Sequence, residues 1–210
     1  MNNNLLIIAK YSFSYVGYSA LAFIIFYMFG FEFLATFAFF VTLFFVYIFR
    51  NPERELQIFD KSSIIAPCDG VVSAIEEIEN GIYRYKVEIE STFTDVGLLR
   101  APMNGKVEKL ALIKGTKSPK SSKLFSDLNE SLSLEIVNDK EESIKVVHSL
   151  KQSPVPIFCD LHDEQEVIKS MRYGFATNCV TTIYLPSNVR LNLNITDRVK
   201  ASESLIAYFS

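Results

Sequence analysis

Two stretches of this chain carry no charge: 11–29, "YSFSYVGYSALAFIIFYMF", and 33–49, "FLATFAFFVTLFFVYIF". Each is close to the ~17–25 apolar residues that a helix needs to cross the hydrocarbon core of a bilayer. Only "GFE" separates them, with Glu32 the sole charge and Gly30 a natural helix stop. Helices joined by so short a link form a hairpin whose ends emerge on one side. Lys10, Arg50 and Arg54 fall on that side, which the positive-inside rule assigns to the cytoplasm. The expectation is a membrane-anchored protein of a bacterial-type inner membrane, with the rest of the chain facing the cytoplasm. A single tilted span with an exported domain is the alternative. A cleaved signal peptide fits poorly, because the apolar region is too long and no small-residue cleavage site follows.

At "FRNPERELQ" (49–57) the apolar run stops, Pro52 blocks helix continuation and charges appear. The expected organisation is a transmembrane helical hairpin over 1–50 and a β-rich domain over 51–210. Later segments such as "VVSAI", "YRYKVEIES", "GKVEKLALI", "SLSLEIV", "SIKVV", "VTTIYLP" and "VRLNLNI" are short, β-branched and roughly alternating. A helix is expected near 163–171, and 119–130 reads as a loop or a weak helix. "IIAPCDGVVSAI" nearly repeats as "LRAPMNGKVEKLALI". In each, proline fixes the backbone before a turn and glycine permits a positive φ within it. Two such APxxG hairpin units point to a mainly β sandwich or barrel.

The net charge of −3 and pI near 5.5 leave no basic stripe for nucleic acid. Cys68, Cys159 and Cys179 lack CxxC spacing, so neither a zinc cage nor a disulfide framework is indicated. Of the two histidines, His148 lies on an apolar strand and reads as a core residue, and His162 reads as a solvated loop residue. Cys68 and Cys159 read as small packing residues. Turn chemistry explains the proline and glycine of "APCDG" (66–70) but leaves Asp69 unaccounted for.

In order, "FFVYIFRNPER", "IIAPCDGVVSAIEEI", "VEIESTFTDVGLLRAPMNGKVEKL", "YGFATNCVTTIYLP" and "LNITDRVKASESLIAYF" resemble the short form of the phosphatidylserine decarboxylase family, from about Phe44 to Phe209. The resemblance implies a proenzyme that cuts itself at a Gly-Ser bond and leaves a pyruvoyl group. That ketone forms a Schiff base with phosphatidylserine and accepts electrons as CO2 departs. Membrane and phospholipid are the implied partners. Asp69 stands where the family places its carboxylate, which would orient a histidine as the acid of a nucleophile–base–acid set does.

This sequence departs from the pattern at several points. The family's "D-x-H-V-N-R-A-P" reads "DVGLLRAP" here, so Gly97 stands at the histidine position, while Asp95 and Arg100 remain. Counting back seven residues from Pro186 puts Cys179 at the serine and Asn178 at the preceding glycine. A one-residue shift of register would offer Thr177. A thiolate is a competent nucleophile, and thioester formation followed by elimination would reach the same pyruvoyl group. Cys179 equally reads as a core residue. Two functions therefore stay open, beside a third reading as a plain structural membrane-surface domain with no lipid specificity. One is a carboxy-lyase with a pyruvoyl group derived from Cys179, cleaved after Asn178. The other is an uncleaved, catalytically inactive, membrane-anchored homologue that binds or regulates lipid.

Overall fold

In the computed structural model, residues 7–54, 59–79 and 81–210 are described. The boundary segment at 49–57 falls partly outside them. The chain divides into two compact units, Met1–Glu53 and Arg54–Ser210.

The first unit holds a 3-10 turn (Lys10–Ser12), α1 (Phe13–Met28) and α2 (Glu32–Ile48). Gly30, at φ 73°, takes the left-handed conformation between the helices, which a residue without Cβ adopts at little cost. The helices are apolar around their whole circumference, with Phe33, Phe37 and Phe40 exposed, as suits a surface not facing water. They meet through aromatic pairs, Tyr15 with Phe45 at 5.4 Å and Phe23 with Phe39 at 5.8 Å between ring centroids. The Ala9 N–H donates to Phe49 O at 2.7 Å and the Asn51 N–H to Ile7 O at 2.9 Å. The two ends of the hairpin are thereby tied together. Lys10–Met28 is long and apolar enough to cross a membrane, and Glu32–Ile48 is a shorter apolar helix.

The second unit is mainly β. An eight-stranded sheet has the order β13-β2-β3-β11-β7-β6-β5-β9, and two three-stranded sheets have the orders β1-β14-β12 and β4-β10-β8. The large sheet comprises β2 (Gly70–Glu77), β3 (Tyr85–Glu90), β5 (Gly105–Ile113), β6 (Ser131–Val137), β7 (Ser143–Leu150), β9 (Glu166–Val167), β11 (Cys179–Leu185) and β13 (Arg198–Val199). The small sheets are built from β1 (Ser63–Ile65), β12 (Val189–Leu191) and β14 (Leu205–Phe209), and from β4 (Leu98–Arg100), β8 (Phe158–Cys159) and β10 (Arg172–Phe175). Strict alternation along β7 buries Ile144, Val146, His148 and Leu150, the period of a strand with one face on a core. One hydrophobic cluster joins all three sheets, with Val146 and Ile183 from the large one, Leu99 and Tyr173 from one small one, and Ile64 and Ile206 from the other.

One expectation changes. The helix expected near 163–171 is absent; Glu166 and Val167 pair antiparallel with Lys106 and Gly105 at the sheet edge, so tertiary pairing overrides the helix-forming side chains. Within 119–130 a single helical turn forms, α3 (Phe125–Leu128). In the APxxG echoes Gly70 takes a positive φ of 159°, and both glycines are also needed for closeness. A Cβ on Gly70 would lie 2.6 Å from Glu90 O, and one on Gly105 would lie 2.3 Å from Val137 O. Each glycine opens a strand under a neighbouring carbonyl.

Gly105→Ala is therefore expected to destabilise the domain by about 1–3 kcal/mol, the usual cost of overpacking. Lys109→Ala, on the exposed side of the same strand, should stay within about 0.5 kcal/mol. Urea unfolding of the full chain in detergent micelles measures both.

Candidate active site

Cys179 opens β11, the strand paired on one side with β3 and on the other with β7. Its backbone is held by Ser91, just past β3. The Cys179 N–H donates to Ser91 Oγ at 3.0 Å, and the Ser91 N–H donates to Cys179 O at 2.9 Å. Ser91 Oγ also lies 3.3 Å from Cys179 Sγ. Asn178, immediately before it, has φ 53°, a left-handed conformation that asparagine tolerates better than most residues. The Asn178 carbonyl accepts the Lys151 N–H at 2.9 Å, and its side-chain amide donates to Gln152 O at 2.5 Å.

A buried row of polar groups leads away from the thiol. Thr181 Oγ1 lies 3.8 Å from Cys179 Sγ and 2.8 Å from His148 Nδ1; His148 Nε2 lies 2.6 Å from the Tyr173 hydroxyl. Alternation puts Cys179 and Thr181 on one face of β11, and β7 pairs His148 opposite Thr181. Tyr173 arrives from β10. The register of β10 against β4 slips between Arg172 and Gly174, so Tyr173 is the extra residue of a bulge, a device that re-aims a side chain. Cys179, Thr181, His148 and Tyr173 are all essentially inaccessible.

Burial sets the protonation of this row. It pushes the Cys179 thiol up, against the lowering effect of Ser91, Thr181 and the Lys151 charge. Cys68 is raised well above the ordinary thiol range, by burial first and by Cys179 next. His148 is driven down to about 3 by burial. A neutral imidazole donates at one of its two contacts and accepts at the other. The row is thus a satisfied, uncharged hydrogen-bond chain. As a base for the thiol, an imidazole so depressed is weak, and the hydroxyls of Ser91 and Thr181 are not bases near neutral pH.

Asp69 is already occupied. Its Oδ2 accepts from Arg54 Nη2 at 2.5 Å, and its Oδ1 accepts the Ala201 N–H at 2.8 Å. Arg54 also reaches Glu203 at 3.3 Å. Arg100, in "RAP", is buried and donates to Ser170 O at 3.3 Å. Its pKa is pushed down to about 10 by burial first, then by Arg172 and Arg54, against Asp69 and Glu203. The guanidinium stays charged at neutral pH, with Arg54, Arg172, Asp69 and Glu203 around it among the described residues. Asp95 serves elsewhere. Its carboxylate accepts from the Thr92 N–H and hydroxyl and pairs with Arg198 at 2.7 Å. That fixes the loop leading to Gly97.

At Gly97 the structure is closed. A Cβ there would lie 2.7 Å and 2.8 Å from two ring carbons of Phe175 and 3.1 Å from Ala176 O. Phe175, fully buried on β10 opposite Leu98, fills the space a side chain at 97 would take. The Ala176 N–H closes the contact by donating to Gly97 O at 2.8 Å.

The family model described as Phosphatidylserine decarboxylase matches residues 41–207. That match spans both echoes, the Asp69 turn and the strand opened by Cys179. The chain belongs to the phosphatidylserine decarboxylase family. A phosphatidylserine decarboxylase proenzyme of Geobacter metallireducens is 30% identical over 181 residues, covering 84% of this chain and 83% of that protein. The proenzyme of Rickettsia akari is 30% identical over 186 residues, covering 85% and 80%. That of Desulfotalea psychrophila is 26% identical over 170 residues, covering 79% of each.

Of the residues singled out from sequence, Cys179 and Cys68 meet near Thr181, and Asp69 lies in the arginine cluster. Thr177, the alternative register, is buried with its hydroxyl unbonded. Cys159 is half-buried on β8, and His162 is exposed. Ser91, Tyr173, Phe175, Thr181 and the pairing of Arg54 with Asp69 are not evident from sequence motifs. Thr181 carries one signal, since it is two residues from Cys179 on the same strand face. The others depend on pairings between distant segments. Among the described residues no cluster of three or more His, Cys, Asp or Glu could hold a metal.

His148 gives the site a pH signature. Folded, it stays neutral down to about pH 3, whereas an unfolded histidine takes up a proton near pH 6.5. Stability present above pH 6.5 is therefore lost as pH falls towards 3, at ~1.4 kcal/mol per pH unit. His148→Gln, which cannot titrate, should flatten that part of the slope. Chemical unfolding of both proteins from pH 7 to 4 makes the comparison.

Proposed function

We propose that this chain is a membrane-anchored protein of phospholipid metabolism that remains one uncleaved polypeptide and binds a phospholipid headgroup. In this reading the hairpin spans a bacterial-type inner membrane and the β domain faces the cytoplasm. The apolar circumference of both helices and the joined hairpin ends with Lys10 and Arg50 support it. Phosphatidylserine is the lipid to which the names of the relatives point.

The observation that carries the uncleaved reading is the Phe175 ring against Gly97. Where the family resemblance implies a histidine base, there is neither a base nor room for one. The remaining groups do not fit formation of a pyruvoyl group. The nucleophile is a buried thiol held protonated, and the acid is committed to Arg54 and Ala201. Loss of one member of such a set costs orders of magnitude in rate. Headgroup binding draws support from Arg100, a buried guanidinium that donates to the neutral carbonyl of Ser170 and whose charge suits a phosphate diester.

A second reading, self-processing at Cys179, is favoured by one feature. Asn178 already holds the left-handed backbone at the position where the family has glycine. Intact mass of the full chain purified from membranes separates the two. A single species at 23.9 kDa, with no CO2 released from phosphatidylserine vesicles, is the expected result. Two fragments divided between Asn178 and Cys179, the smaller blocked to N-terminal sequencing and lost in Cys179→Ala, would overturn it.

The headgroup reading has its own check. Arg100→Gln should weaken retention of phosphatidylserine by the full chain about tenfold, the worth of one charge-assisted hydrogen bond of ~1.5 kcal/mol. Native mass spectrometry against phosphatidylcholine measures it, and unchanged retention would count against the arginine cluster as the binding site.

A further inference from the structure

We propose that the lysine-rich loop 114–128, together with the exposed end of β5, lies in the headgroup layer of the membrane that anchors the chain. This rests on the anchoring reading above but not on headgroup binding or any catalytic role. Leu112 and Ile113 end β5 and Leu124 and Leu128 return along the loop, and all four are exposed. They belong to one end of the sheet because the loop is closed at its base. The Thr116 N–H donates to Leu128 O at 2.7 Å and the Glu130 N–H donates to Thr116 O at 2.9 Å. The Asn129 amide then bridges inward, donating to Ser118 O at 2.9 Å and Leu150 O at 2.6 Å.

The charge around this apolar end identifies what it meets. Residues 109–128 contain five lysines and one aspartate, in a chain whose net charge is −3, and one of the lysines, Lys114, is paired with Glu130 at 3.0 Å. Lys117 spends its ammonium on the neutral carbonyls of Ser153 and Val155, at 3.1 Å and 3.0 Å, so its charge is not cancelled. Lys123, beside Leu124, makes no ion pair with a described residue. Exposed leucines interleaved with lysines match an anionic lipid surface, in which apolar side chains sink past the phosphates while ammonium groups stay among them. The loop is also fastened to the candidate site. Lys120 Nζ lies 3.0 Å from Glu88 and 3.5 Å from Glu90. Glu90 pairs with Lys151 at 2.6 Å, and the Lys151 N–H holds the Asn178 carbonyl. Seating the loop in the headgroup layer brings that end of the sheet to the lipid.

The chain contains no tryptophan, so Leu124→Trp is a sole reporter in the full-length protein. The protein is reconstituted into vesicles of phosphatidylcholine with phosphatidylglycerol, with and without brominated acyl chains. Leu124→Trp should emit at shorter wavelength than in denaturant and lose about half its emission to bromine, as for a side chain ~5–10 Å into the headgroup–acyl boundary. Omitting phosphatidylglycerol or raising salt should reduce the quenching. Ile82→Trp, on the turn after β2 and exposed, should remain unquenched. Leu128→Trp repeats the measurement should the first variant misfold. Protein that floats with the vesicles while both loop reporters stay unquenched overturns the inference and leaves the anchor intact. Protein that fails to float overturns the anchor and the loop contact with it. A blue shift without bromine quenching that grows with protein density assigns the surface to a second copy and likewise overturns the proposal.

Discussion

The placement of β11 between β3 and β7 is the constraint on which the rest of the domain depends. A central strand bonded on both sides cannot slide without moving every inward side chain to the wrong face. That register puts Cys179 and Thr181 on the core side, pairs Thr181 with His148 and sets Cys179 against Ser91. The buried polar row follows from this pairing. Once registered, its groups must satisfy one another, because an unmet buried donor or acceptor costs about 1–3 kcal/mol. The serine, threonine, histidine and tyrosine do so without ionising, which is the cheapest state in a low-dielectric interior. The same arrangement that stabilises the core also keeps the thiol protonated. Stability and nucleophilicity are opposed at this position.

The alternating parts of the fold were legible in the sequence. β5 and β6 coincide with the expected "GKVEKLALI" and "SLSLEIV", because strands with one buried face carry a period of two. Alternation on β7 also shows His148 pointing inward. What could not be read were strands of two or three residues such as β8, β9 and β13, whose extent is set by their partners. The acidic "DEQEVIKSM" segment has helix-forming side chains, yet the edge of β5 recruits Glu166 and Val167 as a strand. In the candidate site, the turn at Asp69 and the strand at Cys179 were legible, since each sits in a local motif. The roles of Arg54, Phe175 and Tyr173 were not, because each enters from a different segment and gains its place only when the sheets close.

Asp69 shows how a structural demand can hold a carboxylate in a turn that does not itself need one. Its echo at 101–105 carries Asn104, so the turn does not need an acid. The carboxylate instead caps the Ala201 N–H and pairs with Arg54, which links the first turn of the domain to the last strands. Both partners are largely buried, where removing one would strand the other's charge at a cost of about 3–5 kcal/mol. That structural demand is sufficient to hold an aspartate at 69 whether or not it orients a base.

Gly97 and Phe175 belong to one packing decision. A side chain at 97 and a phenylalanine ring at 175 compete for the same space, since ring carbons lie within 2.8 Å of the Cβ position. Interiors packed at crystal-like density do not hold both without strain. A histidine introduced at 97 alone would therefore displace the ring, and shrinking the ring alone would leave a cavity. The arginine cluster draws on β4, β10 and the start of the domain, with Arg54 paired to Asp69 and Glu203 and Arg100 bonded to the Ser170 carbonyl. On the proposed reading, the site closes around Gly97 while the neighbouring Arg100 remains a guanidinium suited to a phosphate. Binding without cleavage is the function such a partition would leave intact under that reading.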